Sequence, residues 1–139
     1  MNPHQAMIKQ HHAVFLLSCL AWSITTALSV PGDPWKAPPQ ADQLTDPLAG
    51  DPKAVQRGGK VFTSLCWVCH GMEGRGDGPT AASLQVRPAD LVASTVQQQS
   101  NGALYWKIGH GRGEMPAYEE MLSREDRWAV VHYLRSLVP

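Results

Sequence analysis

Five consecutive residues, Cys66-Trp67-Val68-Cys69-His70, set two thiols two residues apart and place an imidazole directly after the second. C-x-x-C-H is the spacing of covalent haem attachment. Thiols so placed reach two vinyl groups on adjacent porphyrin edges and add across them as thioethers. The tethered ring then lies against His70, whose ring nitrogen becomes the proximal iron ligand. Two other uses of a C-x-x-C pair lack their context. A redox dithiol needs a βαβ pattern, and no strand alternation is visible. A zinc site needs further Cys or His at suitable spacing, and beyond residue 70 only His110 and His132 remain.

An iron held from one side needs a ligand on the other. Met72 lies two residues past His70, on the proximal side. Met115, in Gly113-Glu114-Met115-Pro116, follows His70 by 45 residues, enough chain to pass round a porphyrin edge. Met121 and His110 are its rivals. A thioether suits ferrous iron and raises the reduction potential relative to two imidazoles. A filled coordination shell favours outer-sphere electron transfer over oxygen or peroxide chemistry.

The elements that must position these groups are helical. Ala54, Gly58, Phe62 and Leu65 recur along one stripe just before the motif. Ser123 can cap a second helix whose first turn carries Glu125 and Asp126, followed by Val130, Val131, Tyr133, Leu134 and Leu137. A shorter helix is expected over 101–108, with Gly-rich loops between. The fold class is therefore all-α.

On these residues the stretch 53–139 resembles the class I, monohaem c-type cytochromes, small domains whose N- and C-terminal helices cross around one covalently bound haem. Gly58 and Phe62 match one side of that crossing and Val130 and Tyr133 the other; a glycine lets the partner helix approach closely. The resemblance implies Cys66 and Cys69 as haem tethers, with His70 and Met115 on iron, since the family's distal methionine commonly precedes a proline. It further implies that the Pro79 carbonyl, in Gly76-Asp77-Gly78-Pro79, accepts from the proximal imidazole. Arg87 would meet a haem propionate, and Trp106 or Tyr105 would donate to a propionate or pack on the ring. Trp67 would lie near the exposed haem edge. The stretch from Pro79 to Met115 is short and no Lys-rich face is present, unlike mitochondrial cytochromes. Arg87-Pro88-Ala89-Asp90-Leu91 and Gly111-Arg112-Gly113-Glu114-Met115-Pro116 look most like bacterial periplasmic cytochromes that accompany respiratory complexes.

The rest of the chain sets the context. Residues 1–32 hold no Asp or Glu, and Lys9 precedes an uncharged run from Ala13 to Val30. Small residues at Ala27 and Ser29 complete a signal-peptide pattern over 1–29; an uncleaved anchor, or a lipid on Cys19, is the alternative. Export implies the periplasm. Residues 30–52 read as a Pro-rich leader, extended and little structured, with Trp35 either filling a groove of the domain or docking a partner. Of the 139 residues, twelve are basic and twelve acidic, and removal of 1–29 takes only Lys9, leaving a net of −1. Such a chain is not a nucleic-acid binder. The expected function is one-electron transfer between respiratory redox proteins, by a monomer or a complex subunit that is not itself an enzyme. The alternatives are a haem enzyme or sensor with a labile sixth ligand, or a structural docking subunit of a membrane redox complex.

Overall fold

Five helices carry the described part of the chain: α1 (Ala54–Val61), α2 (Trp67–His70), α3 (Ser94–Gln97), α4 (Asn101–His110) and α5 (Arg124–Ser136). The computed structural model describes residues 35–138, and among these there is no β-strand, only an isolated bridge between Arg112 and Met115. The signal-peptide stretch 1–29, with Cys19, lies outside the described residues. None of the described helices is long and apolar enough to cross a membrane.

The crossing of α1 and α5 organises the domain. A Cβ on Gly58 would lie 1.9 Å from the Ala129 carbonyl oxygen and 2.9 Å from the Tyr133 Cβ, so the two backbones touch where only glycine fits. Sequence reasoning put Val130 opposite Gly58; the nearest atoms belong to Ala129 and Tyr133, while Val130 is turned into the core at 2% exposure. Phe62 and Tyr133 pair as expected, with ring centroids 5.0 Å apart. Phe62, Trp128 and Val131 are fully buried and join Leu104, Ile108, Tyr118 and Leu134 in one core. Helix α5 starts as its sequence dictates, the Ser123 hydroxyl accepting from the Asp126 N–H at 3.0 Å.

Between α1 and α2 the chain widens into a π-turn over Phe62–Cys66, where the Trp67 N–H donates to the Phe62 carbonyl. Thr63 and Ser64 hydroxyls occupy the Gly59 and Lys60 carbonyls at 2.9 and 2.8 Å. Their side-chain bonds offer the backbone an alternative to the regular ladder. One extra residue in the turn rotates everything after it by about 100° relative to a regular helix, and what comes next is Trp67–His70.

Residues 35–52 pack against the helices, so contacts run across the leader–domain division read from the sequence. A 3-10 turn at Pro39–Gln43 sets the Ala41 carbonyl against α4, where a Cβ on Gly102 would come within 1.8 Å of it. Asp42 hydrogen-bonds with Ser100, the α4 N-cap. Asp46 meets His132 of α5 at 2.9 Å, and the Lys107 ammonium sits 5.4 Å above the half-buried Trp35 ring.

Candidate haem-binding site

The C-x-x-C-H segment runs from Cys66, the last residue of the π-turn and the N-cap of α2, through α2 itself, and a loop folds back along it. Gly71, with φ +79°, ends the helix directly after His70. From there Gly76, Gly78 and Thr80 donate their N–H groups in turn to the His70, Cys69 and Val68 carbonyls, at 2.8, 3.1 and 3.0 Å. The approach is so close that a Cβ on Gly78 would lie 2.5 Å from the Trp67 and Val68 carbonyl oxygens. Thr80 adds its hydroxyl, which donates to the Val68 carbonyl at 2.8 Å and lies 3.3 Å from the Cys69 sulfur.

A second layer fixes the imidazole. Leu91 donates to the Gly74 carbonyl at 2.7 Å, and the Pro88 carbonyl lies where a Cβ on Gly76 would meet it at 2.3 Å. That contact brings the Ala89 carbonyl to His70 Nδ1 at 3.1 Å. Sequence reasoning gave this acceptor role to Pro79. The hydrogen bonds of Gly78 and Thr80 hold the Pro79 turn against the α2 backbone, and the segment from Pro88 to Leu91 supplies the acceptor instead. A carbonyl accepts only from Nδ1–H, so the neutral ring carries its lone pair on Nε2, the tautomer an iron ligand needs. Burial lowers the His70 pKa from its ordinary value and so favours the neutral, ligating form, while the hydrogen bond to the Ala89 carbonyl pulls the other way.

Cys66 and Cys69 are both free and half-buried. Burial, with a smaller contribution from Cys69, pushes the Cys66 thiol up to about 11, so it stays protonated at neutral pH. Tyr118 marks the neighbouring wall. It is 8% exposed, and its phenol is raised above its ordinary value by burial and then by the nearby Cys66 and Cys69. Tyr118, packed in the core that Cys66 adjoins, lies three residues beyond Met115 in the chain.

That loop is built on glycines at positive φ, Gly111 at +61° and Gly113 at +57°. Arg112 and Met115 exchange N–H to carbonyl bonds of 3.0 Å in both directions. Met115 is half-buried, whereas Met72 and Met121 are 49% and 62% exposed. Glu114 reaches another loop: one carboxylate oxygen accepts from the Gln85 and Val86 N–H groups, at 2.8 and 3.3 Å.

The remaining expected residues lie as follows. Arg87 is exposed and lines, with Gly76, Gly78, Ala81 and Leu84, a cleft of about 500 Å³ beside the proximal loop. Trp106 stacks on His110 with centroids 4.1 Å apart, and His110 Nδ1 pairs with the Trp106 carbonyl at 2.9 Å. Tyr105 stacks instead on Trp128, at 4.3 Å. Ala89, Thr80, Tyr118 and Glu114 were not found from the sequence. Ala89 acts through its backbone, which leaves no signature in side-chain type. Tyr118 was open to discovery, as an aromatic just beyond the Met-Pro step.

The donor set fits a haem: two unpaired thiols, an adjacent imidazole held in the ligating tautomer, and a half-buried thioether at Met115. Comparison with known proteins agrees. The family described as cytochrome c oxidase, cbb3-type, subunit III matches residues 53–134. The chain belongs to that family of c-type cytochromes. Among solved structures, a component of the reducing HAO-like protein complex of Kuenenia stuttgartiensis is 31% identical, with a TM-score of 0.60 over 69% of this chain. The match covers 47% of that component, so the cytochrome spans about half of its length. The KustC0563 c-type cytochrome is 25% identical with a TM-score of 0.51, covering 59% of this chain and 98% of its own. Comparison with curated proteins gives no match. The all-α cytochrome c fold and a haem c cofactor follow from family membership, and such a domain is an electron-transfer unit.

Proposed function

We propose that this cytochrome is an exported, periplasmic one-electron carrier with a single covalently attached haem c. Cys66 and Cys69 would tether the porphyrin through thioethers, and His70 Nε2 and the Met115 sulfur would hold the iron. Bound there, the haem would supply a ferrous–ferric couple that changes by one electron. Each protein group has a defined part. The Ala89 carbonyl, 3.1 Å from His70 Nδ1, orients the ring and raises its basicity as a ligand. The Met115 thioether would close the iron against water and small gases. Arg87, exposed beside the proximal cleft, is suited to pair with a propionate. Trp106, stacked on His110, would act through packing. The observation that carries this reading is the Ala89–His70 bond, because it prepares an imidazole nitrogen for iron directly after two free thiols.

The test is a haem count, a denaturing gel stained for covalent haem, and a carbon monoxide challenge of the reduced protein. One haem that survives denaturation and a slow carbon monoxide reaction are expected. Rapid binding at neutral pH would replace the carrier reading with a haem enzyme or sensor whose sixth ligand is labile.

A subunit role is the second reading, favoured by the 31% identical chain that belongs to a larger redox complex. The partners would be redox proteins, donor and acceptor, and not nucleic acid. Affinity isolation of the exported protein from membranes distinguishes the two: a stoichiometric redox partner supports a subunit, and recovery alone supports a free carrier.

A further inference from the structure

Glu114 is, among the described residues, the one side chain between 111 and 117 that hydrogen-bonds outside its own loop. Its carboxylate reaches across to the turn after Ala81–Ser83 and accepts from Gln85 and Val86 at 2.8 and 3.3 Å. The chain then runs only a few residues to Ala89, whose carbonyl holds His70 Nδ1 at 3.1 Å. One short segment, 85–89, is thus bonded at one end to the neighbour of Met115 and at the other to His70.

The ends of the 111–118 loop are fixed by backbone. Gly111 donates to the Lys107 carbonyl, and Tyr118 and Glu119 donate to Ile108 and Gly109, all at 3.0 to 3.1 Å. Between these anchors the chain is exposed apart from Met115 and the half-buried Gly111. Its two glycines at positive φ give it freedom that other residues lack. A charged acceptor on two backbone donors ties such a segment more firmly than a neutral acceptor would.

We propose that Glu114 is a positioning residue for Met115, its carboxylate clamping the thioether loop to the 85–89 segment so that the two residues that would hold the iron are braced by one stretch of chain. The proposal rests on the reading of Met115 as the sixth ligand. Without the clamp the loop samples open positions, and the fraction of time in which the sixth position is free increases.

The experiment compares wild type, Glu114→Ala, Glu114→Gln, Gln85→Pro and Met115→Ala as holoproteins. Three readouts are taken: the methionine–iron charge-transfer band of the oxidised form, the rate of carbon monoxide binding to the reduced form, and the thermal midpoint. Glu114→Ala should speed carbon monoxide binding about tenfold, the order expected for a lost hydrogen bond to a charged group, and should weaken the band and lower the reduction potential. Glu114→Gln keeps an acceptor oxygen and should recover most of the wild-type behaviour. Gln85→Pro removes the closer donor from the other side and should act in the same direction as Glu114→Ala. Unchanged band and carbon monoxide kinetics in Glu114→Ala, with or without a lower thermal midpoint, would overturn the clamp. If Met115→Ala opens the iron while Glu114→Ala does not, the ligand reading survives and only the clamp falls. If Met115→Ala itself leaves the band and kinetics unchanged, both fall.

Discussion

The α1–α5 crossing and the Met115 loop both depend on a glycine with no room for a side chain, yet they are held in different ways. A Cβ on Gly58 would sit 1.9 Å from the Ala129 oxygen, and one on Gly111 would sit 2.4 Å from the Met115 oxygen. Around Gly58 the neighbours are fully buried: Phe62, Trp128 and Val131. Around Gly111 the chain is largely exposed and is held by backbone pairs and the Glu114 carboxylate. Apolar burial contributes in proportion to area and is shared by the whole domain, whereas exposed hydrogen bonds open locally at little global cost. The crossing should therefore govern whether the protein is folded, and the loop whether the iron keeps its sixth ligand.

The largest effect should come from emptying the crossing. Phe62→Ala removes a fully buried ring packed 5.0 Å from Tyr133. It should cost about 3–5 kcal/mol in urea unfolding of the holoprotein, with an unchanged charge-transfer band at low urea. A lost band in the still-folded variant would mean that the two regions are not separable.

Gly58→Ala sharpens the same comparison. The new methyl group must displace the α5 backbone, so the gain of about 1 kcal/mol in helix propensity offsets only part of an overpacking cost of about 3 kcal/mol, for a net loss of about 2 kcal/mol. Gly59→Ala is its control. There the added Cβ would meet only the Tyr133 ring edge at 3.2 Å, a side chain that can move by a few tenths of an ångström. Its stability should stay within about 1 kcal/mol of wild type. Equal losses at the two positions would remove the argument that the helices touch through Gly58.

In the loop, Gly111→Ala introduces both a left-handed backbone penalty and a clash with the Met115 carbonyl, while Gly113→Ala introduces the first alone, with nothing within 4 Å. Gly113→Ala should lower stability by about 1 kcal/mol and Gly111→Ala by about 2 kcal/mol, because the backbone clash adds to the same penalty. Only Gly111→Ala should also accelerate carbon monoxide binding. Faster binding in both would assign the effect to backbone strain rather than to displacement of Met115.

The same contrast explains what the sequence disclosed. Side chains with a period or a spacing were legible: the stripe Ala54-Gly58-Phe62 and the Ser123 cap stand where patterning puts them, and the short helix expected over 101–108 runs to His110. What patterning missed is made of backbone. The π-turn at Phe62–Cys66 has no signature beyond two hydroxyl residues, Thr63 and Ser64. Ala89 rather than Pro79 serves His70 because a non-local pair, Leu91 to Gly74, sets which carbonyl reaches the ring. The Pro-rich leader lies on the helices with Trp35 half-buried under Lys107, as one reading of the sequence expects, but the contact that seats it rests on Gly102, a residue whose missing side chain makes room for Ala41.

The smallest effect should lie at the rim of the crossing, where Arg57 of α1 donates to Asp126 of α5 at 2.7 Å. The Arg57 guanidinium, then the Ser123 hydroxyl, hold the Asp126 carboxyl below the usual carboxylate range. A carboxyl whose folded-state pKa is depressed binds more protons when unfolded, so its stabilisation is present at neutral pH and disappears as pH falls through the folded value. Asp126→Asn should therefore be slightly less stable than wild type at neutral pH, and the difference should vanish in acid. It should also shrink with added salt, because the pair is exposed to solvent. Unfolding midpoints of the two proteins at neutral and acid pH, each at low and high salt, measure this directly. A difference that persists in acid would transfer the role of Asp126 from its charge to its place in the first turn of α5. The rim of the crossing would then depend on helix capping by Ser123 and not on the ion pair between the helices.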